Sequence, residues 1–155
     1  MRTLGVDPGL FGAVALWDDD LEVLVIHDAP IARIVKGKSQ NRAVLVDGEY
    51  ARIIRELAPD RMVIEEVGGI KGQSASASFN FGAVFGVMRG IAAALNIPVH
   101  FRTPQSWRMA MRVAKGKDGS RLRATQIFPT YAAKFARVKD HDRAEAALMA
   151  RCPIS

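Results

Sequence analysis

Two short apolar segments of this chain run straight into carboxylates. Arg2-Thr3-Leu4-Gly5-Val6 ends at Asp7, which is followed at once by Pro8-Gly9 and a second apolar run from Phe11 to Trp17. Met62-Val63-Ile64 ends likewise at Glu65-Glu66. A carboxylate at the end of a buried strand is costly to keep ionised unless positive charge sits beside it, most often a metal ion. A third acidic pair, Asp142 and Glu145, lies three residues apart in the helix-like segment from Asp142 to Ala150 and so shares one helical face. Together these groups make a hard-oxygen donor set for divalent cations.

The pattern between the acids sets the fold class. Arg2 to Val6, Gly12 to Trp17 and Leu21 to His27 predict three strands joined by tight turns, an antiparallel meander. The polar, basic stretch from Lys36 to Arg42 predicts a loop. Asp47 is placed to cap a helix running to Leu57, with Tyr50, Ile53, Ile54 and Leu57 on one face and Pro59 just beyond its end. Met62 to Glu65 is then a buried strand parallel to the first, and Gly68 to Ser74 a glycine-rich loop behind the second acidic site. A helix from Ser76 to Leu95, a strand from Pro98 to Arg102 and helices opening at Pro104, Ser120 and Asp140 or His141 complete the chain, with Asp140 as the last cap. This order predicts a single α/β domain over residues 1–155, with a mixed five-stranded sheet, part meander and part parallel, and helices on both faces.

Within the long helix, Gly82, Gly86 and Gly90 recur every four residues, each costing about 0.8 to 1 kcal/mol relative to Ala. Close packing against another helix, across a dimer axis or within one chain, is the expected reason. The formal charge of +6 suggests an anionic partner, and its placement is uneven. Between Phe101 and Arg143 stand 11 Lys and Arg against 3 acids, while the rest of the chain carries 11 against 13. The single cysteine, Cys152, rules out an internal disulfide and a Cys-based zinc cage. With no signal-peptide pattern at the N-terminus, and with Asn80 and Arg89 interrupting the longest apolar segment, a cytoplasmic protein that spans no membrane is expected.

The segments Leu4-Gly5-Val6-Asp7-Pro8-Gly9, Ile64-Glu65-Glu66-Val67 and Asp142-Arg143-Ala144-Glu145-Ala146 resemble the three acidic motifs of the RuvC-type Holliday junction resolvases, in order and separation along the whole chain. Phe79-Asn80-Phe81-Gly82, Thr103-Pro104-Gln105-Ser106-Trp107-Arg108 and Lys139 to Ala146 resemble the short, phage-borne branch of that family. The resemblance implies an RNase H-like fold with Asp7, Glu65, Asp142 and Glu145 as catalytic metal ligands. It also implies Mg²⁺ or Mn²⁺ as cofactor, two ions per site, and paired cleavage of four-way DNA junctions by a homodimer. A nuclease of the same fold acting on forks, flaps or RNA, or a non-catalytic DNA-binding module, remains an alternative. The Asp7-Pro8-Gly9 turn also resembles the first phosphate loop of actin-like kinases, but 155 residues leave no room for the duplicated domain, so no nucleotide cofactor is expected.

Strand alternation sends Glu65 and Glu66 to opposite faces, so only one can point at the site. The motif alignment favours Glu65 and leaves Glu66 auxiliary. His141, one helical turn before Glu145, is a second auxiliary residue. Lys71, Arg108, Arg112, Lys115, Lys117, Arg121 and Arg123 fall in segments that, by the resemblance, flank the cleft and contact phosphates. Relatives carry an aromatic residue a few positions after the second acid, where this chain has Gly68-Gly69-Ile70.

Overall fold

The computed structural model describes residues 1–36, 40–66, 74–116 and 118–154. In chain order come β1 (Arg2–Asp7), β2 (Ala13–Asp18), β3 (Val23–Asp28), β4 (Ile31–Lys36), β5 (Gln40–Leu45), α1 (Asp47–Leu57), β6 (Arg61–Glu65), α2 (Ala75–Ala94), β7 (Val99–Arg102), α3 (Pro104–Ala110), α4 (Gly119–Ile127) and α5 (His141–Ala150). Two 3-10 segments, Pro129–Phe135 and Val138–Asp140, lead into α5. Five strands form one mixed sheet in the order β3-β2-β1-β6-β7. β1, β2 and β3 pair antiparallel as the meander, while β6 joins β1, and β7 joins β6, in parallel.

Alternation along the strands divides the core into two layers. Leu4, Val6, Val14, Leu16, Met62 and Ile64 pack against Tyr50, Ile53, Ile54 and Leu57 of α1 and Met88, Ile91 and Ala92 of α2. Ala13, Ala15, Trp17 and Val63 pack on the opposite side, with Trp107, Phe128, Phe135 and the alanines of α5. By length and composition α2 could cross a membrane, and of its 20 residues Val84, Met88, Ile91 and Ala92 are buried.

Three local expectations are corrected. The stretch from Lys36 to Arg42 is not simply a loop: Lys36 ends β4, and Gln40, Asn41 and Arg42 begin β5, which pairs with it antiparallel from Ile31 opposite Leu45 to Lys36 opposite Gln40. Flanking β-branched residues continue into a polar segment that composition alone assigns to a turn. Asp47 is the first residue of α1 rather than its cap, a place where its charge still suits the helix dipole. Asp140 stands before α5 without capping it. Its buried carboxylate accepts the Arg137 backbone N–H at 2.9 Å and is gripped by the guanidinium groups of Arg137 and Arg143, closing the preceding 3-10 turn. The glycine-rich loop is outside the described residues except Ser74, whose hydroxyl accepts the Ala77 N–H and caps α2.

A close contact between layers lies at β1, the middle strand of the sheet. A Cβ on Gly5 would stand 2.0 Å from the Ala146 carbonyl oxygen and 2.4 Å from the Ala150 nitrogen, so α5 rests directly on the β1 backbone. Gly5 is opposite Ala15 on one side and Val63 on the other. Small side chains on the neighbouring strands and an alanine-rich helix face make this approach feasible. Gly5→Ala is therefore expected to destabilise the fold by about 1–3 kcal/mol or more, because backbone rather than a mobile side chain must give way. A lowered urea midpoint at unchanged m-value checks it, and a wild-type midpoint would show that α5 can shift freely.

Candidate active site

The face of β1 that carries Gly5 also carries Asp7 two residues on, and β6 presents Glu65 on the same face as Val63. Because α5 lies on that face, Asp142 in its first turn and Glu145 one turn later come to the ends of these two strands. Asp7, Glu65 and Glu145 are each 8% exposed, and Asp142 is half-buried. Glu66 is exposed beyond the end of β6, with its backbone N–H bonded to the Arg102 carbonyl at 2.8 Å. The structure thus brings together the four expected acids and leaves Glu66 outside.

Their electrostatic environments differ. Burial, with the charges of Asp142, Glu65 and Glu145, pushes Asp7 well above the usual carboxylate range, against a 3.2 Å hydrogen bond from the Gly9 N–H. Burial also raises Asp142, with the charge of Glu145 adding to the shift and that of His141 opposing it. Glu65 is raised by burial, opposed by the Trp107 indole N–H, which donates to its Oε1 at 2.8 Å. Glu145 is also penalised by burial, yet its pKa is lowered, because hydrogen bonds from His141 and Ser120 and the charges of His141 and Arg108 prevail. Its Oε1 accepts from Arg108 at 2.6 Å and Ser120 at 2.8 Å, and lies 3.1 Å from His141 Nε2. That contact raises the His141 pKa in turn.

An all-carboxylate set with excess negative charge at Asp7 and Asp142 has the right chemistry for Mg²⁺ or Mn²⁺. Among the described residues, no three His, Cys, Asp or Glu side chains are already spaced to hold an ion. The donors on Glu65 and Glu145 hold those two carboxylates in fixed orientations.

The basic residues divide. Arg108 belongs to the acidic cluster through Glu145 and lies over the Trp107 ring, 5.2 Å from its centroid. Arg121 is bonded to Asp118 and to the carbonyls of Phe135 and Ala136, and Arg123 to the Met111 carbonyl at 2.7 Å and to Gln126. These guanidinium groups brace α4 and its neighbours. Arg112 and Lys115 are exposed, and Lys71 and Lys117 lie outside the described residues. Trp107 and Ser120, both fully buried, are site residues that sequence reasoning assigned no role. Trp107 could have been suspected from an indole donor in an otherwise polar first helical turn, whereas Ser120 looks like any helix-start serine.

Because folding raises the pKa of Asp7, its protonated form favours the fold. That contribution is complete below the ordinary carboxylate range and is lost as pH rises through the raised value. Metal-free protein should therefore lose thermal stability between mildly acidic and neutral pH. Asp7→Asn should reduce this loss, leaving the part due to Asp142 and Glu65, and raise Tm at neutral pH by roughly 2–4 °C per kcal/mol relieved. A lower Tm for Asp7→Asn in chelator at neutral pH would contradict the electrostatic account.

No family model and no curated protein matches the chain. Solved structures do. RuvC of T. thermophilus in complex with Holliday junction substrate aligns with a TM-score of 0.60 at 14% identity, covering 97% of this chain and 92% of that one. A second Thermus thermophilus RuvC structure aligns with a TM-score of 0.55 at 16% identity, covering 97% and 96%. The central β1, its parallel neighbour β6 and the helix pressed against them thus compose the α/β, RNase H-like fold of RuvC.

Proposed function

We propose that this chain is a metal-dependent, structure-selective endonuclease that resolves four-way DNA junctions by paired phosphodiester cleavage. The reading is carried by the convergence of Asp7, Glu65, Asp142 and Glu145 from β1, β6 and α5, where burial and mutual repulsion leave negative charge for a cation to offset. Two bound Mg²⁺ or Mn²⁺ ions would activate water and stabilise the leaving oxygen. The protein's own groups orient the ligands: Trp107 fixes Glu65, while Arg108, Ser120 and His141 fix Glu145. Arg112 and Lys115, with Lys71 and Lys117, supply phosphate contacts that position DNA without reading sequence. The likeness to a RuvC solved with a Holliday junction substrate supports branched DNA as ligand. The setting is cytoplasmic.

Paired cuts need two sites held in symmetric relation, hence a homodimer. On α2 the glycines at 82, 86 and 90 are exposed, and a Cβ built on any of them meets nothing within 4 Å. Among the described residues, close packing within the chain therefore does not account for the stripe. Phe79, 70% exposed, lies on the same helix. These features support α2 as the dimer face.

The test is incubation with a synthetic four-way junction, a fork and a matched duplex, with and without Mg²⁺. Cation-dependent nicking of the junction is expected. Asp7→Asn should cut at least about a hundredfold more slowly, the scale of losing one electrostatic group at a reacting centre, while still binding. Wild-type cutting by that variant would sink the assignment. A larger loss for Glu66→Gln than for Glu65→Gln would mean that the wrong neighbour holds the metal. In sedimentation, Gly86→Leu should yield a folded monomer; an intact dimer would remove α2 from the interface.

A further inference from the structure

The turn from β1 into β2 holds a phenylalanine in the open. Phe11 lies four residues after Asp7 and is 61% exposed, yet its turn has little slack. The Gly12 N–H donates to the Gly9 carbonyl at 2.9 Å, the Ala29 N–H donates to the Gly12 carbonyl at 2.9 Å, and a Cβ on Gly12 would stand 2.1 Å from the Asp7 carbonyl oxygen. The ring is thus held out from a braced loop.

Phe11 forms one wall of a cleft of about 290 Å³ that also includes Ala29, Ile31, Arg137, Lys139 and Arg143. Two acids line it as well, but each is paired: Asp28 with Arg143, and Asp140 with both Arg137 and Arg143. Three cations therefore face two carboxylates, and exposed Lys139 makes no ion pair among the described residues. Two residues that line the cleft neighbour the acids along the chain, Phe11 four residues after Asp7 and Arg143 next to Asp142. Its volume is just below the roughly 300–1,000 Å³ of small-molecule pockets, enough for one planar ring system rather than a large ligand. An exposed aromatic face beside a net positive wall is the pairing used to hold single-stranded nucleic acid, with base on ring and phosphate on cation.

We propose that this cleft receives one unstacked base of the DNA strand being cut, stacked on Phe11, with an adjoining phosphate against Lys139. The inference rests on the nuclease reading above and names the part of the substrate that the β1–β2 turn holds. Stacking there would tether the strand next to the acids and select DNA whose bases can leave the helix, as at a branch point.

The experiment uses full-length Asp7→Asn protein, which should bind without cutting, and four-way junctions carrying 2-aminopurine at successive positions around the branch. Binding should change the fluorescence at one position. Adding Phe11→Ala should abolish that change and weaken junction binding by about 5- to 150-fold, the range of one lost base–aromatic stack, while Phe11→Trp should keep both. Lys139→Ala should reduce the slope of log affinity against log salt by roughly 0.7 to 0.9, one phosphate contact. Because Phe11 is largely exposed, the Phe11→Ala protein should keep its Tm. If Phe11→Ala binds the junction with unchanged affinity and signal, the stacking site is wrong and the nuclease reading stands. If Asp7→Asn protein with Phe11 intact binds no DNA, both fall. If Phe11→Ala instead dissociates a dimer, the ring is a protein contact and the proposal is overturned.

Discussion

The contact between α5 and the backbone of β1 at Gly5 sets the geometry of the rest. With no side chain at Gly5 and only alanines at 13 and 15 on β2, the helix settles onto the sheet, and its residues from Ala144 to Ala150 are all buried. That depth decides where its N-terminus falls. Asp142 in the first turn and Glu145 one turn later arrive beside the ends of β1 and β6, instead of standing a side-chain layer above them. The start of a helix also carries about half a positive charge, which favours acids at that end even before any cation binds.

Placing four carboxylates there creates a strain that the protein relieves unevenly. Glu65 and Glu145 have fixed donors, the Trp107 indole for one and Arg108, Ser120 and His141 for the other. Asp7 and Asp142 lack such a set of donors, Asp7 having the Gly9 N–H, and burial raises both their pKa values while that of Glu145 falls. Groups on the same side of one sheet thus separate into a pair that stays oriented without help and a pair whose charge is left for a ligand. Destabilisation retained at such a place, within a well-packed core, is what a binding site costs its fold.

Much of this was legible in the sequence. Apolar runs ending in acids located both strands, and the three-residue spacing of Asp142 and Glu145 set them on one face of α5. Strand alternation made Glu65 and Glu66 mutually exclusive, and the structure orients Glu65 inward. What escaped notice depended on contacts between distant segments. Ser120 lies 25 residues from Glu145, and nothing in its own neighbourhood separates it from an ordinary helix-start serine. The pairing of β4 with β5 was hidden because its polar residues look like a turn and its partner strand, not its composition, makes it a strand. Asp140 occupied the expected place before α5, but Arg137 and Arg143 provided stronger donors than the helix end did.

The charge count was the least transferable signal. The surplus between Phe101 and Arg143 suggested a broad phosphate-binding surface, but much of it is spent inside the fold: Arg108 on Glu145, Arg121 and Arg123 on backbone carbonyls, Arg137 and Arg143 on Asp140 and Asp28. A guanidinium suits such work because its planar fork can satisfy several oxygens at once. The exposed cations of this region are instead led by Arg112, Lys115, Lys134 and Lys139. Net charge still attracts a polyanion at long range, since the field does not depend on which cations are braced. Close contact is different, because a guanidinium must release its internal partners before it can bind a phosphate. The basic third of the chain thus acts partly as scaffold, holding α4, the 3-10 turns and α5 where the acids need them, and partly as surface, and only the three-dimensional contacts tell the two apart.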